Sequence, residues 1–282
     1  MDRNGPNRRR PAQMKRVPAY LTRTYSSGQK LLRLDYRLWT VALVCALFGA
    51  VELVARSGSV SQIYLVPVSI MARRAVGLLS SGEFYVDSVL PTVEEILLSF
   101  CIATVVGVLL GLAIAESTKL DDALGPYVSS YYAIPTFALY PLLIVLIGHG
   151  LLSITLLGVL FSSVAILLHA RDGFRTLPAG MRKYAQAEGL TKAPFFFHVH
   201  LPNAFPYILS GMRLGFVYAV VGVLACEFIL ATKGLGHFVA YAYETFRVTD
   251  MYAGMLVILV FSWVSIGCMS KLLRRFSWGE ET

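Results

Sequence analysis

Charge is scarce in this sequence. Of its 282 residues only 15% are Asp, Glu, Lys or Arg, while 56% are apolar. A soluble domain carries about 25% charged residues. This chain cannot cover a water-facing surface of its size and reads as an all-α protein that crosses a membrane several times. Cysteine is rarer still: Cys45, Cys101, Cys226 and Cys268 lie singly in apolar runs. No CxxC pair is present, which excludes a zinc ribbon and a disulfide framework and leaves them as small packing residues. No GxxxxGK[ST] phosphate loop occurs, so ATP chemistry is not expected on this chain. His198 and His200 form a His-x-His, yet two residues along a helix set the rings about 200° apart and no third ligand is near. They read as surface or interface histidines, and neither a metal site nor a catalytic residue is expected.

What is present is long apolar runs. Six come close to the about 20 residues that a membrane-spanning helix needs: Leu38–Ala55, Ile96–Ala115, about Tyr127–Ile147, Leu151–His169, Phe205–Ala231 and Met251–Ser270. The net charge of +8 is unevenly spread, with ten of the 25 Lys and Arg before residue 38. That basic run, without a folded domain, reads as a cytoplasmic tail rather than a nucleic-acid arm. The first apolar segment lies too far along, and is too long, for an ordinary cleaved signal peptide. Placing the N-terminus inside puts 19 Lys and Arg on inner segments and five on outer ones (Arg56, Arg73, Arg74, Lys233, Arg247), with Arg213 inside a span. The asymmetry orients both termini to the cytoplasm. The expected organisation is a basic tail over 1–37, a transmembrane domain over 38–272 and a cytoplasmic tail over 273–282.

The third run holds Pro135 and Pro141. Each removes a backbone hydrogen bond, so the helix is expected to bend or break inside the bundle, where protein or a water-filled cavity re-satisfies the freed carbonyls. Tyr131, Tyr132, Pro135, Thr136 and Tyr140 are the candidates for lining a passage. Between the first two runs, "SQIYLVPVSIMARRAVGLL" reads as an amphipathic helix on the outer surface, with Arg73 and Arg74 on its polar face. The Tyr- and Phe-rich "TKGLGHFVAYAYETFRVTD" suits the headgroup region or a docking surface. Among ionisable groups near lipid, Glu52 and Arg213 can reach an interface by snorkelling. Glu227 is either a gate or pathway group or a structural hydrogen-bonding partner.

Residues 183–202, "KYAQAEGLTKAPFFFHVHLP", form a polar stretch between the fourth and fifth runs, on the cytoplasmic side. "RKYAQAE" has good helix formers, Gly189 suits a helix C-terminus, and Leu190 with Phe195 to Phe197 supplies an apolar face. Pro202 and Pro206 are compatible with a helix start.

This stretch resembles the signature loop of binding-protein-dependent ABC importer permeases. That pattern is Glu-Ala-Ala, three residues, Gly, nine residues, a branched aliphatic, any residue, Leu-Pro. Here Ala185, Gly189, Val199 and Leu201-Pro202 meet it. "IPTFALYPLLIVLIGHG" and "ILSGMRLGFVYAVVGVLACEFILATKGLGHFV" are similar to permeases for nitrate, sulfonates and taurine, and the likeness extends from about Ser88 to Leu272. The resemblance implies a type I importer permease fold in a bacterial inner membrane. It implies two permease subunits, two cytoplasmic ATPase subunits holding ATP and magnesium, and an extracytoplasmic binding protein that delivers a small solute, often anionic and containing sulfur or nitrogen. It further implies that Lys183, Tyr184, Ala185, Glu188, Gly189, Leu190, Phe195 and Pro202 belong to the segment that seats in the ATPase. The family's glutamate is Lys183 here and its first alanine Tyr184, a charge reversal that calls for a compensating acid on the partner. The alternative is a secondary transporter or channel driven by an ion gradient. Sparse membrane acids and the lack of an inverted repeat count against it.

Overall fold

The computed structural model describes residues 19–58, 61, 64–131 and 136–276. The chain divides into two units, Met1–Ser61 and Gln62–Thr282. In the first, a single helix α1 (Ala19–Arg56) runs through the expected boundary at residue 38 without interruption. Its 38 residues span about 57 Å at 1.5 Å each, roughly twice the hydrocarbon thickness. Only Leu38–Arg56 is apolar enough to lie in lipid. Near its end Glu52 accepts a hydrogen bond from Arg56, one turn on, so the acid is paired within its own helix.

In the second unit the centre is set by small residues. The helices α3 (Leu90–Glu116), α6 (Leu151–Arg175) and α8 (Leu201–Leu230) pack side by side, with α6 in the middle. Lipid tails are as apolar as leucine, so helices gain little by hiding apolar surface from them and associate through close packing. Glycines permit that approach. A Cβ at Gly107 would sit 2.8 Å from both the Ile166 Cβ and the Ser163 carbonyl, and one at Gly111 2.8 Å from the Ala170 Cβ. Across α6, a Cβ at Gly211 would meet His169 at 2.7 Å and one at Gly215 would meet Ile166 at 2.6 Å. Two Gly-x-x-x-Gly seams, one on α3 and one on α8, thus clasp α6 from both sides. Ile154, Leu157, Ile166, Val220 and Val223 fill the space between.

The proline-bearing third run is described on either side of residues 132–135. A helix α4 (Thr118–Ser130) begins under a Ser117 cap that accepts from the Leu120 amide at 3.3 Å. After residues 132–135, which lie outside the described set, a tight 3-10 turn (Thr136–Leu139) leads to the short helix α5 (Tyr140–Ile147). Pro141 stands in the first turn of α5, where its missing N–H costs nothing. Five helices among the described residues are long and apolar enough to cross a membrane, and this segment is not one of them. Within this third run the described residues form a shorter apolar helical piece, Thr136–Ile147.

Helix α2 (Val68–Leu79) buries Met71, Ala75 and Leu78, one per turn. It packs on the last helix, α10 (Val248–Phe276). Arg73 faces outward, but Arg74 donates to Asp250 on α10, which Arg247 also approaches at 3.5 Å. Half of the expected polar face is thus a clamp between two helices. Helix α9 (Leu235–Glu244) buries Leu235, Gly236, Val239 and Ala242 and leaves Tyr241 and Tyr243 exposed.

Candidate functional site

The polar stretch before α8 is a built element. Helix α7 (Ala179–Ala187) ends where the Leu190 amide donates back to the Ala185 carbonyl at 3.0 Å, across Gly189 at φ +69°. This is a Schellman closure, in which the left-handed residue is glycine because a Cβ there is strained. Ala185 is buried beneath the turn, whereas Lys183, Glu188 and Leu190 are exposed. Tyr184 lies in α7, and its side chain is outside the described set. Beyond the turn a short helical piece, Lys192–Phe195, widens into a π turn, Phe196–His200, immediately before Pro202. A wider turn is a natural partner for a proline, which cannot donate to the residue four back. Phe195 and Phe196 are half-buried, and Phe197 stands outward.

His200 carries this element. The sequence reading placed it at a surface or interface; the structure buries it. Its Nε2 meets the Phe174 carbonyl at 2.9 Å, and its Nδ1 lies 3.4 Å from Glu116. The last carbonyls of a helix have no partner within it. Here Thr176 Oγ1 donates to the Gly173 carbonyl at 2.9 Å, and His200 serves the next one. The start of α8 thereby caps the end of α6 and reaches the end of α3. On the same side Asp121 of α4 takes Arg171 and Arg175 of α6, each at 2.7 Å. A groove of about 570 Å³ runs between Leu112, Glu116, Leu190, Phe195 and His200. Nothing in the sequence pattern marks His200 or Asp121 for these roles, since each depends on a helix end brought up by the fold.

At the other end of the same helices sits Glu227, fully buried. Its Oε2 accepts from the Gly236 amide at 2.7 Å and its Oε1 from Thr92 Oγ1 at 2.6 Å. Thr92 Oγ1 in turn accepts from the Leu235 amide at 2.9 Å. The Gly234 amide donates to the Asp87 carbonyl at 3.0 Å. That carbonyl is free because Pro91, four residues on, has no N–H to offer it. Gly234 stands at φ +107°, and a Cβ there would lie 2.3 Å from the Glu227 carboxyl carbon. The 231–236 loop is thus laced to the head of α3 by a buried carboxyl. Glu227 is thus a hydrogen-bonding partner to Thr92 and Gly236. Glu95 on α3 is likewise buried and lies near Glu227.

The remaining passage candidates separate. Tyr131 is half-buried and meets Thr136, itself buried. Tyr132 and Pro135 lie outside the described residues. Tyr140 is 0% exposed and belongs to the core cluster with Phe100, Ile154 and Leu157. Among the described residues no cluster of three His, Cys, Asp or Glu side chains is placed to hold a metal.

Residues 103–277 match the family described as binding-protein-dependent transport system inner membrane component. The chain is 29% identical over 186 residues to the taurine transport system permease protein TauC of Escherichia coli, covering 66% of this chain and 68% of TauC. It is 25% identical over 185 residues to the nitrate import permease protein NrtB of Synechocystis, covering 66% of this chain and 64% of NrtB. Among solved structures, a chain of the inward-facing MetNI methionine ABC transporter superposes with a TM-score of 0.57 at 18% identity, covering 67% of this chain and 94% of that one.

Proposed function

Because the chain belongs to the family of binding-protein-dependent transport system inner membrane components, we propose that it forms one half of the passage of an ATP-driven importer for a small nitrogen- or sulfur-containing solute. It is an ABC importer permease subunit, a multi-pass membrane protein with a transport role. The finer parts of the reading rest on chemistry. ATP and magnesium belong on a separate ATPase chain that seats against α7 and the Gly189 turn. A second permease copy completes the passage, and an extracytoplasmic binding protein delivers the solute. The membrane is the bacterial inner membrane, with both termini in the cytoplasm, as the Lys and Arg asymmetry argues.

One observation supports this most directly. His200, just before α8, ties the segment that follows the Gly189 turn to the ends of α6 and α3, while Lys183, Glu188 and Leu190 of the α7–Gly189 element are exposed. A lever needs that combination: a stiff root in the moving helices and a free face for a motor. Motion at the face is then passed to all three spans at once. Passage specificity would rest on the head of the bundle, and the named solutes of the relatives, taurine and nitrate, remain theirs.

The test is ATP hydrolysis by the assembled complex in lipid vesicles. Co-purification of the chain with an ATPase subunit, and hydrolysis stimulated by the binding protein, are expected. Solute uptake driven by an ion gradient with no ATPase present would replace the reading with a secondary transporter.

A further inference from the structure

The groove at the α7 end has walls of two kinds. Leu112, Phe195 and Phe196 are apolar, while Glu116 and Lys192 carry opposite charges. At about 570 Å³ it has the size of a small-molecule site. The two charges do not satisfy each other. Glu116 is 57% exposed, and its one contact among the described residues is the 3.4 Å approach of Oε1 to His200 Nδ1, which leaves Oε2 open. Lys192 is exposed, and its ammonium has no acid partner among the described residues.

Their depth says what brings both signs together. Glu116 is the last residue of one stretch long and apolar enough to cross a membrane, Gly82–Glu116, and Lys192 the first of another, Lys192–Ile229. Both therefore stand where hydrocarbon gives way to headgroups. Residues 105, 109, 112 and 116 follow the helical repeat and share one face of α3. Val105 and Leu109 on that face are each 59% exposed. An apolar track thus runs along α3 into the groove and ends at the two charges. A soluble ion of either sign would use one charge, leave the other and ignore the track. A phospholipid uses all three. Its acyl chain follows the track, its phosphate meets the Lys192 ammonium, and a headgroup ammonium donates to Glu116 in a charge-assisted hydrogen bond.

We propose that this groove holds a phospholipid of the leaflet on the α7 side, and that it selects a headgroup with both a phosphate and a primary ammonium, as in phosphatidylethanolamine. The lipid bridges the end of α3 to the segment that follows the Gly189 turn. The proposal needs the chain to cross the membrane, but it does not depend on the ATPase or on the solute.

The experiment reads lipid contact, not transport. The full chain is placed in vesicles with a trace of phosphatidylethanolamine carrying a photoreactive diazirine in its acyl chain, and the labelled peptides are mapped. Peptides holding Leu259 and Trp263, exposed apolar residues of α10, serve as the reference for lipid contact without headgroup choice. Relative to them, label at Leu112 and at Phe195–Phe196 is expected to be enriched severalfold in phosphatidylcholine, whose headgroup has no N–H, and in phosphatidylglycerol, which has no cation. Vesicles of unlabelled phosphatidylethanolamine should remove the enrichment. Glu116→Gln, which keeps the shape, should erase it in phosphatidylcholine. In detergent, mass spectrometry of the intact chain should find phosphatidylethanolamine retained by the parent and lost from Lys192→Gln. The α10 label and the thermal midpoint of each variant show whether it is folded. Groove label no higher than the α10 reference, equal competition by all three lipids, or full retention by Lys192→Gln would overturn the proposal. So would displacement by water-soluble phosphoethanolamine, which would make the groove a site for a free solute.

Discussion

Gly234 and Gly189 stand at opposite ends of the bundle and both have positive φ, +107° and +69°. They are glycines for different reasons. At Gly234 a Cβ would collide with the Glu227 carboxyl at 2.3 Å, while at Gly189 nothing lies within 4 Å. The first is required by backbone conformation and by lack of room; the second by conformation alone. The ends they belong to differ in the same way. The head of α3 and the 231–236 loop are joined through side chains with no exposure, Thr92 and Glu227. The α7 end is joined through groups that touch water, such as Glu116 at 57% exposed, and carries outward-facing polar residues. One end is built as a fixed seam, the other as a fixed root with an open face.

The largest effect should come from breaking the seam. Gly234→Ala has to displace a buried carboxyl that bonds Thr92 and Gly236, and it strains the backbone as well. A loss of about 3 kcal/mol or more is expected, the range of buried-network disruptions. Thermal unfolding of the purified chain in detergent reads it. A midpoint unchanged from the parent would mean that the loop is not locked to Glu227 as described.

Gly189→Ala shares the strain but not the collision. The expected cost is about 1 kcal/mol, clearly below that of Gly234→Ala in the same assay. Gly189→Asn should recover part of it, since asparagine tolerates left-handed backbone. Equal losses at 189 and 234 would erase the distinction between crowded and open glycine.

How much of this could be read beforehand follows from range. The apolar runs became helices because bilayer thickness fixes their length. Pro141 could be read as a helix boundary because proline acts on its own backbone, and it stands in the first turn of α5. The Gly189 turn was legible for the same reason. The Gly107–Gly111 and Gly211–Gly215 spacings are visible in "GVLLG" and "GMRLG", although only the fold shows that both face α6. Other pairings join residues far apart in the chain: Glu95 with Glu227, His200 with Phe174, Arg74 with Asp250. Local pattern carries no trace of them. Tyr140 is a related case: its burial depends on neighbours from α3 and α6.

The smallest structural effect, and the sharpest functional one, is expected at Lys183. It is exposed on α7, so Lys183→Glu should change stability by no more than about 0.5 kcal/mol. The family pattern has glutamate at this place, so the substitution restores the common residue while reversing the local charge. If the partner ATPase carries an acid opposite Lys183, the variant puts two like charges together, and ATP hydrolysis no longer responds to the binding protein although the complex still assembles at low salt. Raising the ionic strength should narrow the difference, because exposed charges are screened over about 10 Å at 0.1 M salt. If coupling is unchanged at every salt concentration, no acid faces Lys183, and the contact with the motor is carried by the apolar edge at Leu190 and the phenylalanines instead.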